Sequence, residues 1–303
     1  MMKTAHLELQ MNLKQLLASK RRVLSYELFP PKSEKGENAL RRHLDKLVKF
    51  EPDFITCTYG AGGSSQEKTL EIVKMLKQDY ETIVASHLTL VNSTVDDLRA
   101  YLERARDSQI DAIVALRGDP PEGESQFQST TGGLSYANQL VELINQEFPS
   151  FDVAVAGYPE THREAPSPEV DLENLKRKVD AGADLIITQL FYDNADFYRF
   201  RDRCDATGIE VPILPGILPI TNLAQAVRIA NLCGSSLPSS LKDSLESKTQ
   251  DEQFDVGVAH ATSQVDDLVN QGVDGIHFYV LNQSKAVTAI LSALQNEFKP
   301  IVS

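Results

Sequence analysis

Three side chains able to move or hold a proton close or follow apolar runs of this chain: Glu27 in VLSYE, His87 in IVASH, and Asp119 just beyond AIVAL. A glutamate at the end of a buried run and followed by Leu-Phe-Pro-Pro sits in an apolar surround. That raises its pKa and keeps it protonated, as a general acid requires. The alternative is a carboxylate paired with a neighbouring arginine such as Arg117. Asp119, in Arg117-Gly118-Asp119-Pro-Pro, either supplies charge to a reacting centre or caps the turn that leaves the run. His87 is a base, a ligand or a satisfied core histidine. Three further runs end on polar residues, at Thr58, Tyr158 and Gln189, and these ends would form one site if the runs lay side by side.

The spacing says that they do. Short runs rich in Val, Ile and Leu, separated by long amphipathic stretches, are the pattern of parallel strands buried on both faces, each followed by a helix. With VPILPG at 211–216 and GIHFYV at 275–280 the runs number eight. The sequence therefore predicts an α/β fold, a (β/α)8 TIM barrel, whose active site lies at the C-terminal strand ends. A doubly wound sheet would normally carry a glycine-rich dinucleotide turn after its first strand, where this chain reads ELFPPKSEKG. Residues 1–22 read as an N-terminal extension and 23–303 as the barrel. Extra material at 234–256, counted as an insertion between the seventh helix and the eighth strand, belongs beside the active-site face or at a subunit contact.

Composition narrows the partners. The 303 residues, 42% of them hydrophobic, suffice for one large core. A net charge of −13 argues against nucleic acid, and no run approaches a membrane span. The first 22 residues lack a secretory pattern, so a cytoplasmic address is expected. Cys57, Cys204 and Cys233 are too scattered for a disulfide framework or a metal site, and the Asn92 and Asn282 sequons carry no weight without export.

Two other stretches suit a ligand. TYGAGGSS at 58–65 is a turn whose exposed N–H groups could hold an anion or a flat ring, or simply a connection. The fifth unit, GYPETHREAPSPEVDLENLKRKVDAGAD, sets Asp171, Asn174, Arg177 and Lys178 near the start of one helix. That face fits a diphosphate and ribose at the barrel rim, or is merely solvated.

SYELFPPK, TYGAGGSS, SHLTLV, ALRGDPP, GYPETH, LKRKVDAGAD, ITQLFYD, ILPGILPITN and HFYVLN, in that order, resemble the bacterial type of the methylenetetrahydrofolate reductase family. The resemblance runs from Val23 to about Gln295. It implies an oxidoreductase that passes a hydride from NADH or NADPH through non-covalent FAD to 5,10-methylenetetrahydrofolate, giving 5-methyltetrahydrofolate for methionine synthesis. Glu27 then resembles the acid that protonates N10 of the folate, and Asp119 the carboxylate that bonds the pteridine and offsets iminium charge. FAD contacts implied in the same way are Thr58, His87, Arg117, Gly118, Asp119, Tyr136, Ala137, Tyr158, His162, Asp171, Asn174, Arg177 and Lys178. Substrate contacts are Glu27, Asp119, Gln189, Gln225 and Gln283. A homo-oligomer is implied as well, and no metal.

Two positions depart from the family. Asn282-Gln283 stands where Asn-Arg is common, which removes a cation expected near the folate glutamate, and Lys285 is the nearest substitute. Ile229 stands where related enzymes can have Phe. Outside this family, a pterin-dependent methyltransferase barrel would bind folate without flavin, and a regulatory binding protein would keep the pocket without turnover. No strand end offers the lysine of a Schiff-base aldolase, and no strand the His-x-His pair of a metal hydrolase.

Overall fold

A computed structural model of the chain describes residues 11–19, 22–59, 66–120, 123 and 126–294. The apolar runs become parallel strands: β1 (Val23–Leu28), β2 (Phe54–Cys57), β3 (Ile83–Thr89), β4 (Ala112–Leu116), β5 (Asp152–Gly157), β6 (Leu185–Thr188), β7 (Ile213–Leu214), β8 (Gly216–Ile217) and β9 (Gly275–Tyr279). Their hydrogen-bonded order is β7-β6-β5-β4-β3-β2-β1-β9-β8. The seventh barrel strand is thus two pieces rather than one run. Pro215 has no N–H to continue the ladder; β7 pairs with β6, β8 pairs with β9, and the Pro215 carbonyl accepts from the His277 N–H at 3.0 Å. The ring closes through that one residue, and the fold is the anticipated (β/α)8 barrel.

Helices α1 (Leu13–Ala18), α2 (Glu34–Leu47), α3 (Gln66–Tyr80), α4 (Val95–Asp107), α5 (Ala137–Glu147), α6 (Pro168–Asp180) and α7 (Asn194–Ala206) precede the split strand. Most of α2–α7 packs on the outside of the strands through i, i+3, i+4 stripes such as Leu40, Leu44 and Leu47. α1 does something else. Its Leu13 and Leu16 join Val23, Phe54, Ile83, Ala112, Ala154 and Leu185, the inward residues at the lower ends of the strands. The helix is a plug in the barrel floor. It is pinned by its Lys14 backbone N–H on Asp152 at 3.1 Å and by the Lys14 ammonium on Asp184 at 2.8 Å.

After β8 come α8 (Leu223–Cys233), α9 (Ser239–Leu245), α10 (Gln250–Asn270) and α11 (Lys285–Ala293). Here the sequence reading needs correction. α8 is not the crossing helix of its unit, because its buried Ala226 and Ala230 pack with Leu241 and Leu245 of α9 against Leu190, Tyr192, Leu218 and Ile220, residues that leave the upper ends of β6 and β8. The return is made by the 21-residue α10, whose Ala261, Val265, Leu268 and Val269 belong to the layer outside the sheet. The added elements are therefore α8 and α9, and they lie at the active-site face.

Candidate active site at the C-terminal strand ends

Period-two alternation sends Ser25 and Glu27 of β1, Thr56 of β2, Ala85 and His87 of β3, and His277 and Tyr279 of β9 toward the barrel axis, and the ladder sets Glu27 level with Thr56 and with Tyr279. Glu27 is 8% exposed, and one carboxyl oxygen lies 3.4 Å from Nε2 of His87, itself 8% exposed. Loss of water around the carboxyl pushes its pKa up to about 8, and the same burial pulls His87 down to about 3. Near neutrality the two are an uncharged acid facing an uncharged imidazole, not an ion pair. The pairing of Glu27 with Arg117 does not occur. Arg117 holds Glu164 through both guanidinium nitrogens at 2.8 Å, with its plane 5.1 Å from the Phe127 ring centre.

A second polar layer lies beneath and was missed in the sequence. Ser25 Oγ is 2.8 Å from His277 Nδ1, and His277 Nε2 and Thr56 Oγ1 are buried with no hydrogen-bond partner. Burial, with His87 adding a smaller effect, lowers the His277 pKa to about 3. Tyr279 reaches across the barrel to donate to the Thr188 carbonyl at 2.7 Å. It can do so because residue 216 is glycine: a Cβ there would stand 2.6 Å from the Tyr279 ring. The signal for Ser25, Thr56 and His277 was present, two residues before each polar strand end, but inside runs read as uniformly apolar.

The β4–β6 side of the mouth is different in character. Gly118 takes φ +87°, and a Cβ would lie 2.6 Å from Val91, so only glycine lets the backbone pass here. Asp119 is exposed, and its charge acts on Tyr158 and on Cys233 at the end of α8. Tyr158 and His162 meet edge to face at 4.6 Å, and the His162 N–H donates to Asp171 at 2.8 Å. Ser167 caps α6 with Pro168 in its first turn, where Asp171 also lies; Arg177 and Lys178 lie in the last turn, not near the start as the sequence reading had them, because the helix is only 13 residues long. Arg177 is exposed and donates to Asn174 at 2.9 Å. Lys178 turns inward to the Ala156 carbonyl at 2.5 Å, and burial lowers its pKa to about 8. Tyr136, 63% exposed, caps α5, which begins at Ala137.

The amide positions lie around this mouth. Gln189 donates its backbone N–H to the Gly157 carbonyl, and its side-chain oxygen accepts from Leu190 N–H at 2.9 Å. Gln225 lies in the first turn of α8, with its side-chain oxygen taken by Thr221. Gln283 is exposed just beyond β9. Lys285 does not replace the missing arginine, since its ammonium stands 4.1 Å from the Phe254 ring centre on α10. Thr58 donates its N–H to Leu28 at 2.8 Å, whereas 60–65 of the glycine-rich turn lie outside the described residues.

The Tyr158–His162 ring pair and the Asp171 carboxylate beside the mouth suit a flat ring and a ribose of a dinucleotide such as FAD; of the two α6 cations, Arg177 is exposed beside Asn174 and Glu173, and Lys178 is held on the Ala156 carbonyl. The buried acid faces the same mouth from the β1–β3 side.

Comparison with known proteins bears on the family and the fold. The profile of the family described as methylenetetrahydrofolate reductase matches residues 12–295. The 5,10-methylenetetrahydrofolate reductase of Escherichia coli strain K12 is 39% identical over 274 residues, covering 89% of this chain and 90% of that one. Methylenetetrahydrofolate reductase (NADH) 1 of Arabidopsis thaliana is 39% identical over 284 residues, which are 90% of this chain and 48% of the plant protein, so the chain spans about half of that relative. Among solved structures, an uncharacterized protein from Clostridium thermocellum that binds two copies of 5-methyl-5,6,7,8-tetrahydrofolic acid superposes with a TM-score of 0.66 at 14% identity, covering 94% of this chain and 99% of that one; that likeness supports the fold. On the profile match and the bacterial relative, the chain belongs to the methylenetetrahydrofolate reductase family.

Proposed function

We propose that this chain reduces 5,10-methylenetetrahydrofolate to 5-methyltetrahydrofolate with NADH or NADPH as donor and non-covalent FAD as carrier, in two successive half-reactions. The observation that carries the reading is the buried, uncharged Glu27 against His87 at the C-terminal strand ends, in a chain of this family. Bound FAD would supply reversible hydride acceptance and donation between the nicotinamide and the one-carbon unit. Arg177 and Lys178 would offset its diphosphate, Asp171 would accept from ribose, and Tyr158 with His162 would pack against its rings.

Glu27 holds a proton for N10 of the folate, whose loss of the C–N bond opens the five-membered ring to a cationic iminium. Burial makes His87 a far weaker base than the Glu27 carboxylate, so it leaves that proton on the carboxyl until the substrate nitrogen takes it. Asp119 offsets the iminium charge from the rim. The NH2 groups of Gln189 and Gln225, whose side-chain oxygens are already bonded, donate to pterin acceptors. We read residues from Val23 onward as the catalytic barrel, with α1 as its floor, and the assembly as a homo-oligomer.

An anaerobic absorbance titration tests the function. Protein purified with added FAD should show a flavin spectrum that bleaches with NADH or NADPH and recovers on adding methylenetetrahydrofolate. Bound flavin that is not reoxidised by the folate would overturn the reaction, and absence of bound flavin would overturn the carrier.

A further inference from the structure

The seam between β1 and β9 continues past the last backbone pair. Register places Glu27 opposite Tyr279. Beyond it the strands should part, because Pro30 and Pro31 follow on one side and a turn on the other. Instead the Phe29 N–H donates to Asn282 Oδ1 at 2.9 Å, and Asn282 Nδ2 donates to the Phe29 carbonyl at 2.8 Å. The side-chain amide acts as one more peptide unit in the ladder.

The backbone is bent to put it there. Leu281 and Asn282 take φ +47° and φ +55°, two successive residues in the left-handed region. Asparagine tolerates that region, whereas leucine gains nothing from it. Strain of this kind persists only where the surroundings impose it, and it clusters at functional sites. Here the bend returns the chain so that Asn282, three residues after Tyr279, meets Phe29, two residues after Glu27. The glycosylation sequon at Asn282 has its amide nitrogen spent on this contact.

We propose that Asn282 is a positioning residue that latches the exit of β1 to the exit of β9 and thereby keeps the Glu27 carboxyl closed off from water. It does not touch the reacting atoms. This rests on Glu27 being the acid of the reaction, but the latch can be tested without it. The titratable groups close enough to act on Glu27 are His87 from β3, Tyr279 from β9, Cys233 from α8 and, from the outer face of β2, Cys57. All are uncharged at neutral pH in this environment, so solvent access is what remains to set its protonation. Opening the seam would admit water and let the carboxyl ionise at lower pH.

Infrared titration of the holoenzyme reads this directly. The carboxylic-acid carbonyl band of Glu27 is assigned by its absence in Glu27→Gln and followed from pH 5 to pH 10 in the wild type, Asn282→Ala and Asn282→Gly. Both variants lose both bonds; the glycine variant also relieves the backbone, so it keeps the test open if the alanine variant does not fold. The midpoint should fall by about one pH unit or more in each. Flavin reoxidation by methylenetetrahydrofolate should slow above that lower midpoint and return to the wild-type rate at acid pH, while reduction by nicotinamide stays within about twofold. An unmoved midpoint overturns the latch, as does equal slowing of both half-reactions. A lowered midpoint with folate turnover indifferent to Glu27→Gln would keep the latch and overturn the acid assignment instead.

Discussion

At the scale of single residues, Glu27 makes two separable demands. Reduction of the flavin needs no proton on the substrate, whereas opening the folate ring does. Glu27→Gln should therefore leave nicotinamide-driven flavin reduction within about tenfold of wild type and slow reoxidation by the folate by roughly 10² to 10⁴, read by stopped-flow absorbance. Equal slowing of both steps would demote the residue to a structural role. Its folded pKa, raised from 4.5 to about 8, also makes a stability statement. The proton stabilises the fold fully below the unfolded value, and that contribution is lost as pH rises through the folded one. The glutamine variant should thus gain on the wild type at pH 9 relative to pH 5, by roughly 5 °C in melting temperature. Arg177 and Lys178, adjacent in sequence, should behave differently. Arg177→Ala should weaken FAD retention in fluorescence titrations with little change in melting temperature, because the side chain is exposed. Lys178→Ala should cost both, because its ammonium is bonded to the Ala156 carbonyl inside the fold.

At the scale of elements, α1 and α8 show what a periodic pattern leaves open. A helix stripe states that one face is covered, but not by what. Leu13 and Leu16 read as part of an extension, yet both close the barrel interior, and Leu13 is fully buried. Leu13→Ala should cost about 2–5 kcal/mol in denaturant unfolding, a core value rather than the near-zero expected of a loose tail. The eight strands were legible because runs buried on both faces need no alternation. The break at Pro215 was visible in VPILPG but was read as the end of a strand instead of its middle. The stripe of α8 matched that of a crossing helix, and only packing on residues beyond β6 and β8 shows that it lies at the mouth. For the site, Glu27, His87 and Asp119 were legible as polar ends of apolar runs. Ser25, Thr56 and His277 were not, since one small or polar residue within a Val- and Ile-rich run does not change its reading.

The whole molecule carries a matching liability at acid pH. His87 and His277 are both held uncharged by burial, with folded pKa values of about 3 against 6.5 unfolded. For a depressed base the stabilising contribution is present above the unfolded value and is lost as pH falls toward the folded one, so the window is pH 6.5 to 3. Each imidazole should steepen the fall in unfolding free energy by up to about 1.4 kcal/mol per pH unit there. In urea unfolding, His277→Asn should flatten that limb. An unchanged slope would mean that His277 already charges in the native state.

The plug in the floor has a consequence for how the chain reaches this state. Lys14 is bound to Asp152 and Asp184, partners 138 and 170 positions further along. During synthesis α1 leaves the ribosome well before β5 and β6, and its apolar face has no socket until both exist. Through that interval the nascent chain carries Leu13 and Leu16 exposed, and the barrel above them is an open sheet with unsatisfied edges. Long-range closures of this kind are slow and prone to mispairing. This early-made helix is thus among the last to dock, and the wait for its socket is an interval of exposed apolar surface that the stability of the finished fold does not shorten.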